Sequence, residues 1–171
     1  MTPLTATRKP QTPPRGRAAQ PSPLLTVEEA VRRIRAGRMI IVVDDADREN
    51  EGDIVFAAEH TTPAMVNFAV KHCRGILCAP MAPEIADRLG LKLLVSDNTS
   101  KFGTPFTESV DAKRGTTTGT SAFDRARTLR ALARPQAVAE DFVRPGHVFP
   151  LRAMPGGVLR RAGHTEAAPD L

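Results

Sequence analysis

Two short apolar runs enclose an acidic segment, and this pattern constrains the fold more than any other feature of the chain. Residues 39–43, MIIVV, predict a strand buried on both faces, and residues 54–59, IVFAAE, predict a second strand. The ten residues between them, DDADRENEGD, carry six carboxylates and one arginine. Because like charges this close repel one another, the segment is either a solvated turn or a site that holds a positively charged partner.

Helix signals alternate with further short apolar runs along the chain. Capping boxes begin at Thr26 and at Ser121, and Thr62 precedes a proline at a third helix start. The other predicted elements are a helix at 83–90, strands at 75–80, 106–110 and 147–153, and a helix start towards the end of 156–168. This alternation predicts a single domain of the α+β class (α/β-type), with a mixed β-sheet flanked by helices.

The first 23 residues differ in composition from the rest of the chain. They hold four of the five net positive charges, no acid, and six of the fifteen prolines. A disordered, basic, proline-rich tail is therefore predicted at residues 1–23, and one folded domain at residues 24–171. Because the folded part is nearly neutral, we do not expect nucleic-acid binding.

The cysteines and the apolar runs limit the cellular setting. No apolar run approaches the length of a membrane span, so we expect no membrane association. Cys73 and Cys78 are the only cysteines, and their C-x4-C spacing makes neither a zinc site nor a disulfide framework. We therefore expect a reducing, cytoplasmic location.

The acidic segment 44–53 fits magnesium better than calcium. In an EF-hand alignment that starts at Asp47, position 12 requires a bidentate glutamate, but Ala58 stands there. Mg²⁺ uses hard oxygen ligands, often only one or two from protein, so an acidic loop at the end of a strand can hold it. Charge pattern alone does not decide between this site and a solvated acidic turn.

Three further segments carry side chains that suit chemistry. In residues 161–166, RAGHTE, small residues before a helix start and an arginine suit a phosphate, while His164 is either a metal ligand or a surface residue. In residues 144–153, His147 is either a general acid or base or a structural histidine at a strand start. The threonines of GTTTGTSAFDR can bind substrate or form a turn and cap.

Taken together and in this order, four segments resemble one enzyme family. DDADRENEGD, GTTTGTSAFDR, RPGHVFPLRA and RRAGHTEAA resemble 3,4-dihydroxy-2-butanone 4-phosphate synthase of riboflavin biosynthesis, over about residues 24–171. The resemblance implies a lyase that converts ribulose 5-phosphate into formate and 3,4-dihydroxy-2-butanone 4-phosphate. It implies Mg²⁺ as cofactor, with Mn²⁺ as an alternative ion, and a homodimer with active sites where the subunits meet.

The resemblance also assigns roles to individual residues. It implies that Glu49 and His164 hold the metal, and that His147, Glu49 and Asp53 are catalytic. The residues that it implies for binding the sugar phosphate are Arg48, Glu49, Asp53, Arg161, Ala162, Gly163, His164 and Thr165.

The end of the sequence departs from the family pattern. Family members continue past GHTEA with a further strand, a helix and an essential glutamate, whereas this sequence stops at Leu171. Pro169 stands where an apolar helical residue is usual, and it would interrupt a continuing helix unless it lay in the first turn. Two interpretations follow: a lyase whose C-terminal portion is not in this sequence, or a shortened, non-catalytic member that binds sugar phosphate or dimerises with a complete copy.

Overall fold

The computed structural model describes residues 24–171, and the predicted tail at 1–23 lies outside the described residues. The α-helices within this range are α1 (Val27–Arg35), α2 (Pro63–Cys73), α3 (Pro83–Arg88), α4 (Ala122–Leu132) and α5 (His164–Asp170). The strands are β1 (Ile40–Val43), β2 (Gly52–Val55), β3 (Cys78–Met81), β4 (Val110–Ala112) and β5 (Phe142–Arg152). Short 3₁₀ turns lie at Ala58–His60, Ala139–Asp141 and Gly157–Leu159.

The strands form two sheets. β1 and β2 make an antiparallel ladder in which Ile40 lies opposite Val55, with the acidic segment as their connection. The second sheet has the order β3–β5–β4, in which β3 runs parallel and β4 antiparallel to the central strand β5. The predicted mixed sheet is therefore the three-stranded one, and the acidic segment belongs to a separate ladder beside it.

The prediction that residues 39–43 form a strand buried on both faces is wrong. In β1, Ile40 is buried, whereas Ile41 and Val43 are exposed. β1 pairs with β2 alone among the described residues, and a two-stranded antiparallel ladder packs one face while the other faces solvent.

The helices begin where the capping residues predict. The side-chain oxygens of Thr26, Thr62 and Ser121 each accept a hydrogen bond from the backbone N–H three residues later. This bond satisfies one of the free donors of the first helical turn. The predicted positions of α1, α2 and α4 are therefore confirmed.

The main core lies between the three-stranded sheet and the helices α2, α3 and α4. Its fully buried members include Val66, Leu89, Val110 and Val148. β5 is longer than the strand predicted at 147–153, and it runs through the centre of the sheet. No helix among residues 24–171 is both long and apolar enough to cross a bilayer.

Pro169 lies inside α5 rather than at its first turn. After Pro169, the N–H of Leu171 donates to the carbonyl oxygen of Ala167. Proline offers no N–H of its own to the helix, so α5 lacks one internal bond at that position.

Candidate metal and phosphate site

The acidic connection between β1 and β2 folds around the carboxylate of Asp44. Oδ2 of Asp44 accepts hydrogen bonds from Arg48 Nη1 at 2.7 Å and from the Glu49 N–H at 3.1 Å. Oδ1 accepts from the Glu51 N–H at 2.9 Å. Asn50, with a φ of 53°, supplies the left-handed turn that this wrapping requires. The segment is therefore an ordered loop built on one of its own acids.

These hydrogen bonds keep Asp44 ionised. Burial of the carboxyl group would raise its pKa, but bonds from the N–H of Glu51, the Arg48 guanidinium and the N–H of Glu49 outweigh burial and lower the pKa to about 2. Asp44 is therefore a carboxylate at any physiological pH. Its positive neighbour, Arg48, also pairs with Glu49 Oε1 at 2.6 Å, which offsets part of the charge that the loop concentrates.

Three ligand atoms converge beside this loop. One atom each from Asp44, Glu49 and His164 lies within 4.8 Å of the other two, and we call these residues the metal cluster. The His164 side chain is 10% exposed, and its buried Nε2 has no hydrogen-bond partner among the described residues. Asp53 adds a carboxylate oxygen 3.9 Å from His164 Nδ1.

The donor set of the metal cluster fits a divalent cation. Buried polar atoms normally have a partner, so a buried imidazole nitrogen without one fits a site where an ion would complete the bonding. Carboxylate oxygens are the ligands that Mg²⁺ and Mn²⁺ prefer, and a neutral imidazole is compatible with them. Asp44 joins the cluster although only Glu49 and His164 were expected as ligands.

Two guanidinium groups meet next to the metal cluster. A Cβ placed on Gly163 would lie 2.7 Å from Arg161 Nη1 and 2.9 Å from Arg48 Nη2, so no other residue fits there without displacing them. Arg161 is paired with Glu166, which is fully buried. Oε2 of Glu166 lies 2.5 Å from Arg161 Nη1, and Oε1 accepts a hydrogen bond from the Met154 N–H at 3.1 Å. Paired guanidiniums suit a phosphate dianion.

A cavity of about 870 Å³ opens beside these groups. Six of the residues implied for the site line it: Arg48, Glu49, Asp53, Arg161, His164 and Thr165. Gly163 is buried below the guanidiniums, and Ala162 is exposed and outside the lining. Cys78 lines the cavity as well, and burial together with the charge of Asp53 raises the pKa of its thiol to about 11, so the thiol stays protonated. Nothing in the sequence pattern had distinguished Cys78.

His147 lies outside the lining of this cavity. Its Nδ1 is 2.8 Å from Asp111 Oδ2, its backbone N–H donates to Asp111 Oδ1 at 2.9 Å, and its Nε2 is 3.1 Å from Thr120 Oγ1. We call Asp111, Thr120 and His147 the His147 group. Asp111 is buried in β4, and the sequence alone does not identify it, because a lone acid in a short strand carries no pattern.

The threonine segment supports the His147 group. Asp124 Oδ2 accepts hydrogen bonds from the N–H and Oγ1 of Thr117 and from the Gly119 N–H. Gly119 has a φ of 86°, and a Cβ there would lie 2.7 Å from His147 Nδ1, so only glycine fits. The segment therefore forms a turn and a helix cap, as one of the two interpretations held, and it presents Thr120 to His147.

Comparisons with known proteins identify the family. The sequence profile of 3,4-dihydroxy-2-butanone 4-phosphate synthase matches residues 28–171. The chain is 57% identical over 148 residues to 3,4-dihydroxy-2-butanone 4-phosphate synthase of Pseudomonas aeruginosa. It is 59% identical over 146 residues to riboflavin biosynthesis protein RibBA of Mycolicibacterium gilvum. A crystal structure of 3,4-dihydroxy-2-butanone 4-phosphate synthase in complex with two magnesium ions matches with a TM-score of 0.83 at 46% identity.

The chain therefore belongs to the 3,4-dihydroxy-2-butanone 4-phosphate synthase family, and the resemblance and the α+β fold class predicted from the sequence are confirmed. The matches cover 86% of this chain but 40% of the P. aeruginosa protein, and 85% of this chain but 34% of the M. gilvum protein. The match to the magnesium-bound structure covers 85% of this chain and 68% of the other.

Proposed function

We propose that the chain binds a divalent metal ion and ribulose 5-phosphate in the cavity, and that it serves riboflavin biosynthesis by converting this substrate into formate and 3,4-dihydroxy-2-butanone 4-phosphate. The observation that carries the proposal is the buried Nε2 of His164, which has no partner in the described part of the chain and lies beside Asp44 and Glu49, next to two converging guanidiniums. A ligand with a phosphate at one end and adjacent oxygens at the other matches both features.

The proposed roles follow from the chemistry of each group. Glu49 and His164, with Asp44, would hold Mg²⁺ or Mn²⁺, which when bound polarises the ketone and the neighbouring hydroxyl and acidifies the adjacent C–H. Arg48 of the acidic loop and Arg161 bind the phosphate as bidentate donors, and Ala162, Gly163 and Thr165 follow Arg161 in the same segment. Asp53, half-exposed beside the metal cluster, accepts a proton from the substrate carbon.

His147 is the proposed acid or base for a second proton transfer. Asp111 fixes the orientation of its ring at Nδ1, and the hydroxyl of Thr120 lies 3.1 Å from Nε2. Because His147 does not line the cavity of its own chain, we propose a homodimer in which it acts at the cavity of the other subunit. Exposed apolar side chains at Ile41, Val43 and Leu93–Val95 provide surface for such an association.

The activity is tested by formate release. Incubation with ribulose 5-phosphate and Mg²⁺ releases formate, EDTA abolishes the release, and Mn²⁺ restores it. Sedimentation equilibrium then checks the dimer. Mixing a Glu49→Gln chain with a His147→Ala chain, each inactive alone, restores part of the activity if His147 serves the other subunit. Absence of restoration in a verified mixed dimer would contradict that arrangement.

A second candidate function is binding of sugar phosphate without turnover, alone or in a dimer with a complete copy. The position of His147 outside the cavity favours it, because the cavity of one chain then lacks its proposed second acid or base. Ribulose 5-phosphate would in that case raise the melting temperature in the presence of Mg²⁺ while no formate is released.

The cellular location forms part of the proposal. Cys73 and Cys78 are both free thiols, which fits the reducing cytoplasm where sugar phosphates are found. Fractionation of cells, followed by detection of the protein with an antibody, tests this directly.

A further inference from the structure

The loop between α3 and β4 places Phe102 against both guanidinium groups that converge beside the metal cluster. The Arg48 guanidinium carbon lies 5.8 Å from the centroid of the Phe102 ring, over its face. The backbone carbonyl oxygen of Phe102 accepts a hydrogen bond from Arg161 Nη2 at 3.0 Å. We infer that Phe102 is a positioning residue, which holds Arg48 and Arg161 in the orientation that binds a phosphate group; the inference rests on the role that the proposed function gives these two arginines.

The carboxylates that pair with Arg48 do not fix its orientation completely. Nη1 of Arg48 lies 2.7 Å from Asp44 Oδ2, and Nη2 lies 2.6 Å from Glu49 Oε1. The donors of a guanidinium group point outward in its plane, so these bonds leave both faces of the plane without support. The Phe102 ring covers one face, at a distance where cation–π attraction operates. Phe102 therefore limits the tilt of Arg48.

Arg161 is fixed at two different nitrogens. Its Nη1 lies 2.5 Å from Oε2 of the buried Glu166, and its Nη2 donates to the Phe102 carbonyl. Nη1 also faces Gly163, where an added Cβ would lie 2.7 Å from it and 2.9 Å from Arg48 Nη2. Phe102 thus contacts two cations that come from distant segments of the chain and meet above one glycine. A residue in this position sets how the two guanidiniums lie relative to each other.

The loop itself is ordered around Phe102. The side-chain amide of Asn98 donates to the carbonyl oxygen of Thr104 at 2.9 Å, and its Oδ1 accepts the Ser100 N–H at 3.0 Å. The N–H of Gly103 donates to the carbonyl oxygen of Ser100 at 3.1 Å, which closes a turn that contains Phe102. Phe102 is 37% exposed, so packing in the core does not account for its position, whereas its contacts with the guanidiniums do.

Lys101 is a second cation near the same ring. Its ammonium nitrogen lies 4.8 Å from the centroid of the Phe102 ring. Lys101 is exposed, whereas the Arg48 side chain is 23% exposed. Because cation–π attraction is stronger for a cation that is withdrawn from water, the contact of Phe102 with Arg48 is the one that positions a phosphate ligand.

Inorganic phosphate is the probe that tests this role. Its affinity is measured by phosphorus-31 NMR in EDTA, so that neither metal, sugar nor turnover affects the result. Phe102→Ala should weaken phosphate binding about tenfold, whereas Phe102→Tyr, which keeps the ring, should stay within about twofold of the unaltered chain. Phe123→Ala, at a phenylalanine 72% exposed on α4, is the matched control and should leave the affinity unchanged. Absence of formate release from a chain that passes this test would contradict the proposed function alone.

NMR of the arginine Nε–H groups separates positioning from general damage to the fold. Phe102→Ala should shift the Arg48 Nε–H resonance and lower its order parameter, because the ring no longer covers the guanidinium. The Arg161 resonance should change less, since Arg161 bonds to the backbone of Phe102. Phe102→Tyr should restore the order parameter of Arg48.

Four results would overturn the role of Phe102. They are an unaltered chain that does not bind inorganic phosphate, a Phe102→Ala chain that keeps its affinity, and an Arg48 order parameter that does not change in that variant. The fourth concerns Lys101→Gln, which should stay within about twofold of the unaltered chain in phosphate affinity. A loss in Lys101→Gln as large as that in Phe102→Ala would show that the ring acts through Lys101 instead of Arg48.

Discussion

Two histidines with opposite surroundings divide the candidate site. His164 is nearly buried among carboxylates, and its Nε2 has no partner among the described residues. His147 is 44% exposed, and both of its ring nitrogens already have partners, in Asp111 and Thr120. A ring nitrogen that is buried and unpartnered fits a metal ligand, whereas a ring held by a carboxylate at one end and a hydroxyl at the other fits proton transfer.

Charge is arranged differently in the two parts of the candidate site, the metal cluster around His164 and the His147 group. The metal cluster gathers ionised carboxylates that an added cation would stabilise, and Arg48 only partly offsets them. In the His147 group, one buried carboxylate already satisfies the single histidine that it contacts. A bound metal ion should therefore strongly stabilise the metal cluster, and it should have little effect on the structure of the His147 group.

The largest expected effect is the loss of metal binding in Glu49→Gln. An amide is a poor substitute for a carboxylate ligand, so we expect Mn²⁺ binding, followed by electron paramagnetic resonance, to weaken by about 100-fold or more, and formate release to fall with it. Asp47→Asn is the matched control, since Asp47 is an exposed acid of the same loop outside the metal cluster. Equal Mn²⁺ affinity in the two variants would remove Glu49 from the cluster.

Asp111→Asn should impair the His147 group and leave the metal cluster unchanged. The change keeps the shape of the side chain but removes the charge that orients and supports His147, so kcat should fall about 10²-fold or more. KM and Mn²⁺ binding should change little, because Asp111 does not line the cavity. Asp97→Asn, an exposed aspartate, serves as control. A parallel loss of Mn²⁺ binding in Asp111→Asn would show that the two halves are not separate.

Local interactions made part of the structure predictable. Thr26 and Ser121 cap helices by accepting a hydrogen bond from the backbone N–H three residues later. The order of helix and strand signals along the chain predicts the α+β class. The burial of β1 was not predictable, since it depends on what packs against each face rather than on the residues of the strand. The division into two sheets was not predictable for the same reason, because the residues of a strand do not indicate which other strands pair with it.

The candidate site shows the same limit at longer range. Glu49 and His164 are far apart in the sequence, and family resemblance rather than spacing linked them. Asp44 belongs to the metal cluster because the acidic loop folds around the Asp44 carboxylate. The acidic composition of the loop alone does not show this arrangement. Asp111 reaches His147 across the irregular pairing of β4 with β5, and only the folded backbone brings these two residues together.

A smaller effect is expected from the ion pair of Arg161 and Glu166, beside the metal cluster. Arg161→Ala leaves the fully buried carboxylate of Glu166 without its charged partner, and we expect the free energy of unfolding to fall by about 3 kcal/mol. Urea unfolding in EDTA measures this without a contribution from metal. Arg160→Ala, at the exposed neighbouring position, should cost less than about 0.5 kcal/mol. If both variants lose equally little, Glu166 does not hold Arg161 in solution.

The smallest effect should appear in the support of the His147 group, as a dependence on pH. Burial raises the pKa of Asp124, but hydrogen bonds from Thr117, Gly119 and Ser121 outweigh burial and lower it below its usual value. A carboxyl group whose pKa is lower in the folded state stabilises the fold above its unfolded pKa, near 3.9, and this stabilisation is lost as the pH falls further. Asp124→Asn should therefore reduce the free energy of unfolding by about 1–2 kcal/mol at pH 7, because an amide accepts fewer and weaker bonds than a carboxylate. The difference from the unaltered chain should narrow as urea unfolding is repeated from pH 5 to pH 3, whereas a difference that stays constant over this range would mean that the charge of Asp124 contributes nothing.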